Sequence, residues 1–136
     1  MTKRVVKEII SWIMVIVVAF LLAFVINRFV IFQVEVPSGS METTIMTGDR
    51  VATLRLSYLF SDPKRGDIVV FLFPDDEKVD YIKRIIGVPG DTIEIKEGVL
   101  YINEEPYEEN YLKDPMVKED FGPISVPEES YFMMGD

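Results

Sequence analysis

VPSGSM occupies residues 36–41, shortly beyond the end of a long apolar segment, and contains two serines separated by one glycine. Pro37 fixes its own φ and favours an extended backbone at the residue before it. Gly39 has no Cβ, so another backbone or a bound peptide can approach it closely. This pattern can present a serine hydroxyl at the end of a strand. The alternative interpretation is a polar turn that leaves a membrane helix.

The composition excludes several kinds of catalytic and metal site. The chain has 136 residues and contains neither Cys nor His. That length suffices for one membrane segment and one domain of roughly 100 residues. Disulfides, thiol nucleophiles, zinc sites built on Cys or His and a Ser-His-Asp triad are therefore excluded within these residues. A serine nucleophile would need a lysine, a carboxylate or a terminal amine as its base. We predict no metal and no cofactor.

Charge is distributed unevenly along the chain, whose formal net charge is −9. Four basic residues, Lys3, Arg4, Lys7 and Arg28, flank the apolar segment and are opposed there only by Glu8. The remaining 10 of the 14 basic residues are set against 22 of the 23 acidic residues. This acidic balance argues against nucleic-acid binding, which requires a basic surface.

Ile9–Ile26 is an apolar segment of 18 residues with no charge and no proline. At 1.5 Å per residue its helix would be about 27 Å long, close to the thickness of the hydrocarbon core of a bilayer. Trp12 suits an interfacial position, and the basic residues before the segment predict a cytoplasmic N-terminus. We therefore predict a cytoplasmic basic head over residues 1–8, a single transmembrane helix over 9–26 and an extracytoplasmic β domain over 29–136.

A cleaved secretory signal is the competing interpretation of this N-terminal segment. Its basic head fits, but its apolar core is longer than the roughly 7–15 residues typical of signal peptides. The residues that follow, Asn27-Arg28-Phe29-Val30, contain no small-x-small cleavage site. We therefore favour an anchor that is retained in the cell membrane, in contact with lipid.

Short apolar and β-branched runs separated by turn residues fill the rest of the chain. This pattern is typical of an all-β domain, here either twisted antiparallel sheets or a partly open barrel. Glu97-Gly98 predicts a hairpin turn, and the acidic stretch 104–122 predicts a long loop. The predicted strands cover residues 29–36, 50–56, 68–73, 80–88, 92–96, 99–102 and 131–134.

Lys83 lies in the run YIKRII, residues 81–86, which is apolar except for two adjacent cations. Side chains alternate between the two faces of a strand, so either Lys83 or Arg84 must face the more buried side. Burial disfavours the charged ammonium and lowers the pKa of a lysine. A neutral lysine amine can take a proton from a serine hydroxyl. The alternative is an edge strand whose cations prevent aggregation.

Six motifs occur in one order behind the predicted anchor. They are PSGSM at 37–41, GD at 48–49, RGDIVVF at 65–71, DYIKR at 80–84, GVPGD at 87–91 and YFMMGD at 131–136. This ordered set closely resembles the type I signal peptidase family, the membrane-bound Ser-Lys proteases. The resemblance covers nearly the whole chain and implies a β catalytic domain of the signal-peptidase type.

The resemblance implies a catalytic role for three residues. Ser40 matches the nucleophile of the family, and Lys83 matches its general base. The Ser38 hydroxyl and the N–H of Ser40 match the donors of its oxyanion hole. The chemistry agrees, because a tetrahedral intermediate needs fixed donors where its negative charge develops.

The resemblance also implies the substrate. The family removes signal peptides from secretory preproteins that have small residues at the first and third positions before the cut. Such a peptide would add as a strand along Val36 and the segment Asp80–Lys83. Shallow pockets lined by Val36, Tyr81 and Ile82 would accept the small side chains. The sequence makes no prediction of oligomeric state.

Two departures from the family pattern affect these expectations. The family has Pro where this chain has Thr43, two residues after Met41. Its last motif continues past Gly-Asp with Asn and a Ser-x-Asp-Ser-Arg run, and none of these follows Asp136. We therefore expect the chain to be a fragment or a truncated product whose C-terminal part is incomplete. The alternative function is a non-catalytic, membrane-anchored β-module that binds extended peptides.

Self-cleaving repressors are other Ser-Lys proteases, and they form a weaker alternative. They lack an N-terminal anchor and carry a DNA-binding region. The acidic domain of this chain contains no sequence of that kind.

Overall fold

An N-terminal helix is followed by a domain of antiparallel β-sheets in the computed structural model, which describes residues 2–113 and 118–136. The helix α1 covers Lys3–Val25 and continues into a π-helical turn at Ile26–Val30. The strands are β1 (Ile31–Glu35), β2 (Arg50–Leu54), β3 (Ile68–Phe73), β4 (Asp76–Gly87), β5 (Thr92–Lys96), β6 (Val99–Ile102), β7 (Glu105–Pro106), β8 (Phe121–Ser125) and β9 (Phe132–Met134). The predicted fold class, an apolar N-terminal helix with an all-β domain, is confirmed.

Helix α1 begins at Lys3 rather than at Ile9, so it includes most of the basic head. None of its residues is buried, and its apolar side chains cover its whole circumference. By length and composition the helical segment Lys3–Val30 can cross a membrane.

The helix passes into the β domain without an intervening loop. We predicted a strand from residue 29, but Phe29 and Val30 belong to the π-helical turn. That turn ends where the N–H of Ile31 donates to the carbonyl of Ile26, and Ile31 takes the extended conformation that begins β1. The apolar character of Phe29 and Val30 was therefore a wrong indication of strand, because helical hydrogen bonding continues through them.

The strands form three antiparallel sheets among the described residues. Their orders are β1-β2, β3-β4-β9 and β7-β6-β5-β8. Strand β4 is central, since it pairs with β3 over most of its length and with β9 only near its C-terminal end. Over Asp80–Lys83 the described chain therefore covers only one of its two edges.

Three of the predicted strands, β3, β5 and β6, have the predicted bounds. The hairpin at Glu97-Gly98 is also confirmed: Lys96 pairs with Val99, and both turn residues have positive φ, 51° and 78°. A two-residue hairpin turn of type I′ requires positive φ at both positions.

Strands β2 and β4 have different limits from the predicted ones. Strand β2 ends at Leu54 rather than at Leu56, and β4 covers Asp76–Gly87 rather than residues 80–88. Pairing of Phe73 with Asp76 extends β4 toward its N-terminus, and the Asp76 carboxylate accepts the N–H of Lys78 at 3.1 Å.

Strands β7 and β8 were missed, because β7 and the start of β8 lie in the predicted loop 104–122. Strand β8 contains Gly122 and Pro123, two residues that disfavour strand interiors, yet it pairs with β5 across a register shift. Gly122 is needed there because it has φ +80° and a Cβ on it would overlap the carbonyl of Ile93. Residues 114–117 of the predicted loop lie outside the described residues.

Two apolar clusters stabilise the domain. One lies on the four-stranded sheet and includes Ile86 of β4; its other members are Ile93, Ile95, Leu100, Ile102 and Val126. The other consists of Val36, Met41 and Ile82 and joins the segment after β1 to β4.

Asp91 is a buried carboxylate that ties three separate segments together. It accepts hydrogen bonds from the N–H of Val88 at 2.9 Å, from the Asn103 amide at 2.9 Å and from Arg65 Nη2 at 2.6 Å. Burial by itself raises the pKa of Asp91, but these three hydrogen bonds outweigh it and hold that pKa below its usual value. Asp91 therefore stays ionised in the folded domain.

We expect Asp91→Ala to destabilise the domain by about 3 kcal/mol, because it leaves Arg65 and Asn103 without their acceptor. The lowered pKa also sets the pH dependence. The stabilisation is present above the unfolded pKa, about 3.9, and is lost as pH falls through the lower folded pKa. Urea unfolding in detergent micelles, followed by near-UV circular dichroism between pH 7 and pH 3, measures both effects. Asp75→Asn, at an exposed turn carboxylate, is the control, and equal stability of the two variants would contradict the assignment.

Candidate active site

The backbone changes direction at Ser38, at the end of the extended segment that follows β1. Ser38 is extended, with φ −146° and ψ 158°, and Gly39–Met41 then form one 3-10 turn. The N–H of Glu42 donates to the carbonyl of Gly39 at 3.0 Å and closes this turn. The predicted extended approach to the two serines is therefore present, and Ser40 itself lies within the turn.

The two serine hydroxyls lie side by side. Ser38 Oγ and Ser40 Oγ are 3.3 Å apart, and either hydroxyl can donate to the other. Ser38 is exposed, and Ser40 is half-buried. A group bound at Ser40 can therefore be reached by the hydroxyl of Ser38.

Met41 connects the serine turn to strand β4. It is fully buried and packs in one cluster with Val36 and Ile82. Met41 follows Ser40 directly in the chain, and Ile82 directly precedes Lys83. The burial of these side chains therefore brings the predicted nucleophile and the predicted base to neighbouring parts of the domain.

Lys83 is half-buried on β4, opposite Val69 of β3. Burial lowers the pKa of its ammonium. Within residues 2–113 and 118–136, no carboxylate lies at ion-pair distance from this ammonium. The hydrogen bond that the Ser40 hydroxyl forms is with Ser38, and a direct bond between Ser40 and Lys83 is not formed. Catalytic hydrogen bonds commonly tighten only when substrate binds.

Arg84, the second cation of the pair, forms a two-point ion pair with Asp136. Its Nε donates to Oδ1 at 2.8 Å, and its Nη2 donates to Oδ2 at 2.6 Å. The Asp136 side chain has no exposed surface. A third donor of Arg84, Nη1, binds the carbonyl of Gly66, and the guanidinium lies 4.2 Å from the centroid of the Tyr111 ring.

This ion pair fixes the charge of both partners. The hydrogen bond to Asp136 raises the pKa of Arg84. Burial by itself raises the pKa of Asp136, but the hydrogen bonds from Arg84 and Thr44 outweigh it and lower that pKa. Of these two adjacent cations, Arg84 is thus held charged, whereas burial lowers the pKa of Lys83.

Residues Gly135 and Asp136 hold the serine turn from the other side. The Thr44 hydroxyl donates to Asp136 Oδ2 at 2.6 Å. A Cβ added to Gly135 would overlap the carbonyl oxygen of Ser40, so only glycine fits at that point. Sequence reasoning assigned no role to Arg84, Thr44, Gly135 or Asp136. The adjacent cations and the terminal YFMMGD motif were the signals that pointed toward them.

Thr43 is a strained residue within the segment that follows the turn. Its φ is +75°, a value that is a genuine outlier for a β-branched residue. Proline, which the family pattern has at this position, fixes φ near −65° and cannot adopt the observed conformation. Next to it, the Glu42 carboxyl group lies against Gly39 and accepts the Thr47 hydroxyl at 3.0 Å. The local backbone after Met41 therefore differs from the one that proline would impose.

The predicted substrate-binding residues are divided between the two faces of β4. Ile82 packs with Val36, and both are buried. Tyr81 instead stacks on Phe73 at 4.7 Å between ring centroids. Asp80 is half-buried at the free edge of β4. The structure thus brings Val36 and Ile82 together and places Tyr81 on the opposite face, because successive strand residues alternate.

A crevice lies beside this site rather than on it. It is a crevice of about 640 Å³ between β2 and β3, bordered by Asp80, and neither Ser40 nor Lys83 lines it. The Thr53 hydroxyl, in the wall of the crevice, is buried without a hydrogen-bond partner in the described structure. Because the two predicted catalytic side chains lie outside the crevice, we place the candidate site at the serine turn.

Comparison with known proteins supports a family assignment. The family model described as "Signal peptidase, peptidase S26" matches residues 9–136. Signal peptidase I P of Bacillus subtilis subsp. natto is 40% identical, over 98% of this chain and 77% of that protein. The probable signal peptidase I-2 of Synechocystis sp. is 41% identical, over 88% of this chain and 57% of that protein.

Among solved structures, a signal peptidase I from Enterococcus faecalis V583 is similar. It is 32% identical, with a TM-score of 0.47, over 55% of this chain and 77% of that chain. The family match over residues 9–136, together with curated relatives about 40% identical over most of the chain, shows that this protein belongs to the signal peptidase family S26.

Proposed function

We propose that this chain cleaves secretory preproteins with Ser40 as the nucleophile and Lys83 as the general base. Membership of the signal peptidase family supports the general activity of the chain, that of a serine endopeptidase acting on preproteins. The observation that carries the residue assignment is the burial of Met41 against Ile82. This contact joins the two stretches at positions directly adjacent to Ser40 and Lys83.

The chemistry starts with a neutral Lys83 amine. Ser40 Oγ attacks the scissile carbonyl carbon while its proton passes to Lys83 Nζ. The resulting ammonium then donates a proton to the leaving amine nitrogen, and the neutral amine next activates the water that hydrolyses the acyl-serine. Burial supports this role because it lowers the pKa of Lys83, and no described carboxylate opposes the shift.

The Ser38 hydroxyl and the N–H of Ser40 would stabilise the oxyanion. The Ser38 hydroxyl already lies 3.3 Å from the attacking oxygen, so it can donate to a negative oxygen that forms beside it. The position of the Ser40 N–H in the 3-10 turn is held by Met41 on one side and by Gly135 on the other. Donors held in advance of the reaction stabilise the transition state without reorganisation.

The substrate would lie extended along the edge of β4 that β9 leaves uncovered. That edge runs past Asp80–Lys83, where β9 does not pair. Val36 and Ile82 are buried against each other, so they offer a closed apolar surface rather than a deep pocket. This burial supports the proposed preference for small residues at the first and third positions before the cut.

The direct connection between helix and domain suits a substrate that emerges from a membrane. Helix α1 would cross the bilayer with its N-terminus in the cytoplasm, because its basic residues lie at that end. Ser40 lies ten positions after Val30, and an extended chain rises at most about 3.3–3.6 Å per residue. Ser40 therefore cannot lie more than roughly 35 Å from the helix end.

One observation favours the second candidate function, peptide binding without cleavage. The Ser40 hydroxyl is bonded to Ser38 rather than to Lys83 in the described structure. The Ser40→Ala variant distinguishes the two functions. A binding module would show no cleavage even without the substitution, and its affinity for peptide would be unchanged by Ser40→Ala.

Ser40→Ala and Lys83→Met are each expected to abolish cleavage of a preprotein by the full-length protein in lipid vesicles. Ser38→Ala is expected to lower kcat by roughly 10²–10³, the usual effect of losing one oxyanion donor. Cleavage is measured by the appearance of the mature protein on gels. Ser130→Ala, at a serine far along the chain from the serine turn, is the control. Cleavage that survives Ser40→Ala or Lys83→Met would refute the assignment.

The pH profile of kcat/KM is expected to rise as Lys83 loses its proton. Because burial lowers its pKa, the midpoint of this rise should lie below the ordinary lysine value, about 10.4. Lys83→Arg should remove both the activity and the rise, since a guanidinium does not deprotonate in proteins. A profile that stays flat from pH 5 to pH 10 would show that Lys83 is not the base.

Gly135→Ala is expected to lower kcat/KM by about a hundredfold, because its Cβ must displace the carbonyl of Ser40 and a shift of about 1 Å has that effect. Gly98→Ala is the control: a Cβ at Gly98 meets open space, and Gly98, unlike Gly135, has positive φ, so alanine is strained there without touching the serine turn. The Gly98→Ala variant should lose some stability but keep its activity when activity is measured under conditions in which the variant is folded. Equal activities of the two variants would contradict the contact between Gly135 and the serine turn.

A further inference from the structure

The segment that follows β7 lies against the ion pair that supports the candidate site. Residues 107–112, here termed the tyrosine loop, fall within the acidic stretch that was predicted as a long loop. The loop carries two tyrosines, Tyr107 and Tyr111, and both pack against the apolar cluster of the four-stranded sheet. The N–H of Tyr107 donates to the carbonyl of Leu100 at 2.8 Å, so the pairing of β6 with β7 continues into the loop. The tyrosine loop therefore starts from a fixed point on the sheet.

Each of the two tyrosine rings faces an arginine. Tyr111 lies over Arg84, with 4.2 Å between the guanidinium carbon and the ring centroid, and Tyr107 lies over Arg65 at 5.9 Å. A guanidinium within about 6 Å of a ring centroid is attracted to the face of the ring. Both arginines are ion-paired to a largely buried aspartate. The pair formed by Arg84 is the one that contacts the chain beyond the serine turn, so the contact with Tyr111 bears on the candidate site.

The Tyr111 ring supplies a restraint on Arg84 that its hydrogen bonds do not. Nε and Nη2 of Arg84 donate to Asp136, and Nη1 donates to the carbonyl of Gly66. All the N–H groups of a guanidinium lie in one plane, so these bonds restrain movement within that plane more strongly than movement across it. The Tyr111 ring lies over one face of the guanidinium and opposes movement across the plane. The Arg84 side chain is only 12% exposed, so water has little access to the ion pair while the ring is in place.

Glu109 fixes the orientation of the Tyr111 ring. The Tyr111 hydroxyl donates to Glu109 Oε1 at 3.0 Å, and the other carboxylate oxygen of Glu109 is ion-paired with Lys118. The side chains of Glu109 and Lys118 are both largely buried. Burial is the main cause that raises the pKa of Tyr111 to about 12, so its hydroxyl stays a donor at neutral pH. The ring is therefore held by Arg84 at its face and by Glu109 at its hydroxyl.

We propose that Tyr111 is a positioning residue for the cleavage reaction and that it acts through Arg84. This inference rests on the proposed function, in which Ser40 is the nucleophile. The guanidinium is bound to Asp136, and Gly135, the residue before Asp136, lies against the carbonyl of Ser40. A tilt of the guanidinium is therefore passed on to the serine turn. Tyr111 prevents this tilt and sets the position of the nucleophile without touching it.

The effect of Tyr111 is expected on the chemical step rather than on substrate binding. A displaced nucleophile weakens interactions that form only in the transition state, whereas the proposed binding edge of β4 makes its contacts in the ground state. Loss of an interaction that exists only in the transition state lowers kcat and kcat/KM equally and leaves KM unchanged. A loop that merely stabilised the domain would instead change the fraction of folded protein.

Three variants of the full-length protein in detergent micelles test this role. Tyr111→Leu keeps an apolar side chain against the sheet but removes the ring, and we expect kcat per folded molecule to fall about tenfold with KM unchanged, because a shift of about 1 Å can lower the rate a hundredfold. Tyr111→Phe keeps the ring over Arg84 and should restore most of the activity. Tyr107→Leu is the matched control. It alters the same loop and the same apolar cluster but lies over Arg65, which binds Asp91, so it should lose stability and keep its kcat.

A spectroscopic readout tests the contact without relying on proteolysis. In protein labelled with ¹⁵N-arginine, the exchange of the Arg84 Nε proton with water is measured by NMR, and the resonance is assigned with Arg84→Lys. We expect this exchange to be several times faster in Tyr111→Leu and nearly unchanged in Tyr111→Phe. In Tyr107→Leu the Arg84 exchange should stay as it is. Should Tyr111→Leu fail to fold, Tyr111→Met, which fills more of the volume of the ring without its π-electron face, carries the same predictions.

Three outcomes would overturn the proposal. An unchanged kcat per folded molecule in Tyr111→Leu would show that the ring does not position the site. Equal losses of kcat in Tyr111→Leu and Tyr107→Leu would show that the loop only stabilises the domain. A lower kcat with unchanged exchange at Arg84 would show that Tyr111 does not act through this arginine.

Failure of the proposed function would be recognised separately. Cleavage that survives Ser40→Ala would remove the nucleophile assignment and this inference with it. The proton exchange at Arg84 would still show whether the Tyr111 ring covers the guanidinium, because that measurement does not depend on cleavage. If Ser40→Ala is inactive and Tyr111→Leu keeps its kcat, the proposed function stands and the positioning role alone is refuted.

Discussion

The ion pair between Arg84 and Asp136 is the interaction on which the arrangement of the candidate site depends. Each group is largely removed from water, and each can remain charged there because the other lies within hydrogen-bond distance. The pair joins the central strand β4 to the segment that follows β9. Through Thr44 it also joins the chain beyond the serine turn. One carboxylate thus connects three segments that are far apart in sequence.

The serine turn is held between this polar contact and an apolar one. On one side Met41 is buried with Val36 and Ile82, and on the other Gly135 lies against the carbonyl of Ser40. The apolar contact of Met41 has no preferred direction, whereas the hydrogen bonds of Asp136 fix the distances and angles between its carboxylate and the groups of Arg84 and Thr44. Together they account for the proximity of Ser40 to β4 even though no bond joins Ser40 to Lys83. The strained φ of Thr43 shows that the chain accepts an unfavourable backbone conformation beside these contacts.

The sequence could predict the parts of this structure that depend on local pattern. Strands β3, β5 and β6 follow from β-branched runs between turn residues, and the hairpin at Glu97-Gly98 follows from its turn chemistry. Strand β8 could not be predicted, because its own residues disfavour a strand and its pairing with β5 overrides them. The Arg84–Asp136 pair joins residues that are 52 positions apart, so no periodicity could indicate it. The adjacency of two cations showed only that one would face inward, and the fold decides that Arg84 takes the ion pair while Lys83 stays without one among the described residues.

The passage from α1 to β1 through a π-helical turn, without a loop, has a mechanical consequence. A flexible linker would let the β domain keep its orientation while the helix tilts, but here the first strand continues the hydrogen-bonded backbone of the helix. Transmembrane helices adjust to bilayer thickness by changing their tilt. With α1 in a bilayer, a change in lipid chain length would therefore turn the β domain together with the helix. The height of Ser40 above the membrane would then vary with the thickness of the lipid.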